Sequence, residues 1–468
     1  MACVYDKTRS VFIISGSAAE RIGDPNTRNS AVAQGFLTGW TRWWGGKRVT
    51  TTADFEAMAR DLLSGKGEAS GVALASSLLA AYRALPRAEH HPFFALLATR
   101  FGPDLQTVQR AVADFLQTPD SIAATRLHLL AEPRRQELIR RMNLAPRGTS
   151  QLVAMREDLL TATVEDPSLA AVDADFRHLF ASWFNRGFLT LQRIDWSTPA
   201  HVLEKIIHYE AVHAITSWDD LRLRLEPPDR RCFAFFHPAL VGEPLIFVEV
   251  ALTTGVPTAI APLLSSARLP VSPERATTAV FYSISNCQRG LRGISFGNFL
   301  IKQVAEDLKR ELPSLNTFIT LSPLPGFRRW LSTRSGEDDA GLASALEAMR
   351  QADWHRKPSK ALREELSRAA VRYLFAAKDD MGKPIDPVAR FHLGNGARLE
   401  RLNWMGDISD NGLRQGAGFM VNYLYDLAAV ERNHESFANE DEIVASPEMQ
   451  RLERTLLRDP KEEKRPGR

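Results

Sequence analysis

Cysteine is scarce in this 468-residue chain: Cys3, Cys232 and Cys287 stand far apart, with no CxxC pair. That excludes a disulfide framework and the common thiolate zinc sites, and it points to a reducing compartment. Long apolar runs are missing too. Residues 245–252 form one of the longest and include Glu249, well short of the ~20 residues a membrane helix requires. Charge of one sign is also absent, since 59 basic and 56 acidic residues leave a net +3. No strong field exists to attract nucleic acid, which is not an expected partner. Neither a Walker loop nor a Rossmann fingerprint occurs, which removes the usual signatures of P-loop NTPases and dinucleotide enzymes. His201, His208 and His213 are spaced by seven and five, not by the four of zinc hydrolases, so they read as structural and no metal is expected. The first 24 residues carry Asp6, Glu20 and Asp24 and no long apolar stretch, so no secretory signal is expected. The last three residues are not the Ser-Lys-Leu address. The cytoplasm is the expected location.

What is present is an ordinary globular composition, 44% hydrophobic and 25% charged, in a chain long enough for two or more cooperative units. From about Thr52 to Phe180 apolar residues recur at helical spacing, with Leu74, Leu78, Leu79 and Tyr82 in one stripe and Val108, Val112 and Phe115 in another. Breaks are expected at Pro86, Pro92, Pro103, Pro119 and Pro133. After Arg186 the texture changes to β-rich runs at 232–236, 245–253, 278–285 and 317–321. Helices alternate with them. One is expected after Ser197-Thr198-Pro199, with a hydroxyl cap, burying Val202, Leu203, Ile206 and Ile207. Another is expected over about 296–312, with Leu300, Val304, Leu308 and Leu312 spaced by four. The reading is a helical unit over 1–185 and an α/β or α+β catalytic unit over 186–468, ending in a charged tail.

Three stretches can carry chemistry. Arg289 to Asn298 (RGLRGISFGN) joins a strand to a helix, where glycines, a helix N-terminus and the two arginines suit a pyrophosphate. A glycine-rich loop with Ser295 as an ordinary cap explains the same letters. Ser322 sits in Ser-Pro-Leu-Pro-Gly, a rigid turn, although a lone Ser-Pro serine more often bonds its own turn. His392 precedes Gly394-Asn395-Gly396, and histidine is the natural proton carrier near neutrality, although a lone histidine is more often structural. Asn422, Tyr423, Tyr425 and Asp426 lie downstream.

Together, WFNRGFLTLQRID (183–195), residues 237–251, 281–302, 321–327 and 391–425, opening FHLGNGARLERLNWMGDIS, resemble the malonyl-CoA decarboxylase family. The resemblance implies a helical oligomerisation domain followed by a GNAT (acetyltransferase-like) α/β catalytic domain that grips CoA through its strand-to-helix turn. It assigns Arg292, Gly293, Ile294, Ser295, Phe296, Gly297 and Asn298 to malonyl-CoA binding, together with Ser322 and His392. It assigns catalytic positions to Ser322, His392, Tyr425 and Ser283. Some relatives carry a glutamate where this chain has Ser295, so no carboxylate role transfers there. It further implies conversion of malonyl-CoA to acetyl-CoA and CO2 without cofactor or metal, by a homotetramer. The thioester is its own electron sink. The alternative is a CoA-dependent acyltransferase of the same fold.

Overall fold

The computed structural model describes residues 52–64, 67–294, 300–334, 340–351 and 353–457. Helices α1 (Thr52–Leu63), α2 (Glu68–Ala84), α3 (His90–Arg100), α4 (Leu105–Gln117), α5 (Ser121–Ala131), α6 (Arg134–Met142), α7 (Gly148–Glu165) and α8 (Ala170–Trp183) fill the first half. Aspartates start two of them. Asp104 accepts from Gln106 N at 3.1 Å and Thr107 N at 3.3 Å, and Asp120 accepts from Ala123 N at 2.7 Å. Pro92 does not break a helix as expected: it lies in the first turn of α3, where a missing N–H costs nothing because that N–H has no intrahelical partner. The Leu74, Leu78, Leu79 and Tyr82 stripe is buried, whereas Val112 on α4 is 39% exposed. The second stripe is therefore not core.

The second half builds one mixed sheet from β1 (Thr190–Ile194), β2 (Arg230–Phe236), β3 (Pro244–Thr253), β4 (Thr278–Asn286), β5 (Thr317–Thr320), β6 (Ser322–Pro323), β7 (Arg398–Asn403) and β8 (Met420–Leu424). Their order is β1-β2-β3-β4-β5-β8-β6, with β7 paired to β8. All four expected apolar runs are strands. The one parallel pair among the described strands, β4–β5, is joined through α11 (Leu300–Glu311), which buries Leu300, Val304 and Leu308, so this half is α/β as expected. The expected start of that helix at Phe296 lies outside the described residues. Helix α9 (Ala200–Tyr209) follows Ser197-Thr198-Pro199, but Pro199 itself is the cap residue, without a side-chain cap. Thr198 instead accepts from Asp195 N at 3.0 Å. With α10 (Trp218–Leu225), α9 covers one face of β2 and β3 through Cys232, Ala234, Phe236 and Phe247. The other face, including Phe235, Val248 and Phe281, shares one continuous apolar core with the first-half helices.

Pairing of β4 with β5 runs from Thr278 to Phe281, and Leu321 N still donates to Phe281 O at 3.0 Å. Beyond that point β4 is bonded to β3 on one side while β5 turns away into β6. Cys287 N donates to Leu245 O at 2.9 Å. By the alternation of an antiparallel ladder, Ile284 and Asn286 then aim their N–H and C=O groups away from β3, into the wedge.

Candidate active site

Three elements converge on this wedge. Ser322 leaves β5 on β6, opposite Val421 of β8. His392 rides on α12 (Pro387–Gly394), where Asp386 caps the helix by accepting from Val388 N at 3.0 Å and Ala389 N at 2.8 Å. Proline at the first helical position suits that start. Tyr425 follows β8, its N–H donating to Phe318 O at 2.8 Å. Ser322 Oγ lies 3.0 Å from His392 Nε2, and His392 Nδ1 lies 2.9 Å from Tyr425 Oη. Thr320 extends the chain: its Oγ1 accepts from Ser322 Oγ at 2.9 Å and from Tyr423 N at 3.1 Å. Asn422 Nδ2 donates to the Thr320 carbonyl at 2.7 Å.

The direction of the chain follows from its ends. Ser322 donates its hydroxyl to Thr320 Oγ1, so its oxygen faces His392 Nε2 as an acceptor and Nδ1 is left to accept the Tyr425 hydroxyl. The ring proton then resides on Nε2 and is donated to Ser322 Oγ, whose own hydroxyl goes to Thr320. Burial pushes the His392 pKa down to about 3, because a charged imidazolium is poorly solvated there. Burial also raises the Tyr425 phenol. The His392 ring stacks on Tyr423, with centroids 4.6 Å apart and planes at 25°. The site is thus a neutral set of fixed hydroxyl and N–H donors.

Beside it runs a cleft of about 780 Å³, lined by Arg289, Arg292 and Gly293, by Phe391, Gly394 and Asn395 around His392, and by α7. Arg390 also lines it and pairs with Asp379 at 2.5 Å. Gly293 has φ +77°, a backbone conformation that favours glycine. Ile294 also lines the cleft, whereas Ser295, Phe296, Gly297 and Asn298 lie outside the described residues. Residues 293–297 also spell G-x-S-x-G; that serine lies outside the described residues, and Ser322 is bonded to His392.

Ser283 does not join the chain. A bulge at Glu249/Val250 shifts the β3–β4 register at this point. Ser283 Oγ donates to Glu210, lying 2.9 and 2.7 Å from its two oxygens. Glu210, at the end of α9, also accepts from Val212 N at 2.8 Å and His213 N at 2.7 Å. Burial pushes His213 down to about 4. Among the described residues no group of three or more His, Cys, Asp or Glu is arranged to hold a metal ion, and no helix is long and apolar enough to cross a membrane. Sequence reasoning missed Thr320 and Asp386. Thr320 is two residues before Ser322 and so on the same strand face, a signal that was available. The Asp-Pro pair before His392 was another.

Comparison with known proteins agrees with this geometry. A family model described as the malonyl-CoA decarboxylase C-terminal domain matches residues 187–465, and one described as the N-terminal domain matches 101–184. "Malonyl-CoA decarboxylase, mitochondrial" of Anser anser anser is 34% identical over 392 residues, 75% of this chain and 77% of that protein. Its Mus musculus counterpart is 34% identical over 392 residues, 75% of this chain and 79% of that protein. The crystal structure of malonyl-CoA decarboxylase from Rhodopseudomonas palustris is 55% identical, with a TM-score of 0.83, covering 86% of this chain and 100% of that one. That from Agrobacterium vitis is 52% identical, with a TM-score of 0.80, covering 85% of this chain and 99% of that one. With two family models spanning both halves and relatives at this identity, the chain belongs to the malonyl-CoA decarboxylase family.

Proposed function

We infer that this chain converts malonyl-CoA to acetyl-CoA and CO2, a carbon–carbon lyase reaction. The observation that carries the reading is the neutral, buried Ser322–His392–Tyr425 chain set beside an arginine-flanked cleft. When the bond from the α-carbon to the carboxylate breaks, its electron pair moves through the thioester carbonyl onto oxygen. Fixed donors aimed at that oxygen stabilise the enolate; Ser322 supplies one by turning its hydroxyl from Thr320 onto the substrate, with the His392 Nε2 proton beside it. The enolate carbon then takes a proton from His392 Nε2 or through Ser322 while Tyr425 passes its own proton to Nδ1, and a solvent proton restores the phenol. One proton is consumed and CO2 departs. A neutral site suits this chemistry, because a cation on the malonyl carboxylate would stabilise the ground state that must break.

Arg292 and Gly293, with Ser295 to Asn298 by family resemblance, are the proposed phosphate grip, and Ile284 and Asn286 offer backbone partners to the pantetheine arm. No cofactor or metal is proposed, since the thioester accepts the electrons. Ser283 is proposed to act indirectly, through the Glu210 network beneath β4. The buried free thiols of Cys232 and Cys287 support a reducing compartment, here the cytoplasm. Incubation with malonyl-CoA, with no acyl acceptor and with or without EDTA, tests the reading. Equal yields of acetyl-CoA and CO2 under both conditions support it. Acyl transfer only when an amine is supplied would replace it with the acyltransferase, and no turnover under either condition would remove both.

A further inference from the structure

We propose that Arg156, on a helix of the first half, is a positioning residue for the turn that grips the CoA phosphates. This rests on the phosphate grip proposed for the cleft. Arg156 is 1% exposed. Its Nε donates to Asp173 Oδ1 of α8 at 2.8 Å, and its Nη1 donates to the carbonyl of Gly290 at 2.7 Å. Gly290 lies in the turn Arg289–Leu291 after β4. A Cβ on Gly290 would stand 1.9 Å from the Val153 carbonyl oxygen, so the turn rests directly on the α7 backbone.

The residues after Gly290 are fixed relative to that anchor. Arg292 N donates to Arg289 O at 3.0 Å, and Ile294 N to Leu291 O at 3.0 Å. Arg289, Arg292 and Gly293 therefore take their places in the cleft from a contact made to another half of the molecule. The same helix supplies the facing wall, through Leu160, Thr161 and Val164, and its Glu157 lies 3.6 Å from Arg289. Burying a guanidinium carries a desolvation cost that an apolar side chain would not. What Arg156 adds in return is a directional donor aimed at one carbonyl of the turn. It makes no hydrogen bond to Ser322, His392 or Tyr425 among the described residues.

The test separates the grip from the chemistry. Arg156→Met and Arg156→Lys are assayed with malonyl-CoA and with malonyl-pantetheine, which lacks the pyrophosphate and nucleotide, and CoA binding is measured by calorimetry. With malonyl-CoA, kcat/KM in Arg156→Met is expected to fall at least about tenfold, through KM. With malonyl-pantetheine it stays within about twofold of wild type, since truncation has already removed the gripped group. CoA binding weakens by the same factor, and Arg156→Lys recovers part of the loss. Equal losses on both substrates, or an unchanged KM, would overturn the proposal. Gly290→Ala, which displaces the turn without removing the charge, should reproduce the pattern and carries the test where Arg156→Met does not fold. A wild type that binds CoA but releases no CO2 ends the decarboxylase reading alone. Weaker CoA binding in Arg156→Met would then still support the anchor.

Discussion

A histidine kept neutral by burial does different work from one that titrates near neutrality. His392 is 3% exposed, and its proton on Nε2 is committed toward Ser322 by the Tyr425 hydroxyl behind it. Replacing His392 or Ser322 by alanine is expected to lower kcat by on the order of 10² or more. The double variant should be little worse than the poorer single one, because either loss already disables the unit; independent contributions would multiply. Steady-state acetyl-CoA release at saturating substrate, with circular dichroism as the fold control, decides between these. With a native pKa of about 3 against 6.5 for the ordinary imidazole, His392 gives kcat no acid limb between pH 5 and 8. A limb near 6.5 that vanishes in His392→Gln would contradict this. Stability moves the other way on acidification. Between 6.5 and about 3 the unfolded chain binds a proton at this position that the native state refuses, so folding weakens as pH falls through that window. Denaturant midpoints at pH 7 and pH 5 should show a larger drop in wild type than in His392→Gln.

At the scale of elements, the helix that carries His392 depends on one carboxylate. Asp386 is fully buried, caps α12 through two backbone N–H groups, and accepts the Tyr373 hydroxyl at 3.0 Å. Burial pushes its pKa up. Asp386→Ala removes the cap and leaves a buried phenol unpaired, at a cost of about 2 kcal/mol or more. Asp386→Asn keeps an acceptor and should lose less. Thermal melts of the two variants rank them, and an equal loss would mean the charge rather than the cap is what matters. Elements that bury apolar residues at a clear period were legible. The four apolar strands and α11 sit where their patterns put them. Strand β7 was not, because Arg398, Glu400 and Arg401 break its alternation, and its place is set by pairing with β8. The α4 stripe was legible as a helix but misassigned as core, since periodicity reports an apolar face and not what covers it. Ser322 and His392 were legible through family resemblance. Thr320 could have been read from its place two residues before Ser322, whereas Arg156 meets the Gly290 turn only through a pairing distant in sequence. Ser283 is turned by a bulge that no local pattern marks.

On the scale of the whole molecule, one apolar core joins both halves, so the helices do not form a separable appendage. The hairpin of α4 and α5 is the exception. Leu116 is 74% exposed, Ile122 77% and Leu129 62%, and Ile122, Leu129 and Leu130 line one shallow apolar hollow with Thr125 and Arg126. Soluble monomers rarely leave a contiguous apolar patch of this kind uncovered. A second copy of the chain is the proposed cover, in line with the homotetramer the family resemblance implies. The two helices face each other across an Arg126–Asp114 pair at 3.5 Å, and Leu116 and Ile122 point outward, so charging them leaves the hairpin's own contacts in place. Leu116→Glu combined with Ile122→Glu is therefore expected to lower the molar mass seen by light scattering, while circular dichroism keeps its helical signal. The wild type should run near four times its chain mass of 52.2 kDa, and the double variant at a smaller multiple. A wild type that runs as a monomer, or a double variant at the wild-type mass, would remove this surface from the assembly.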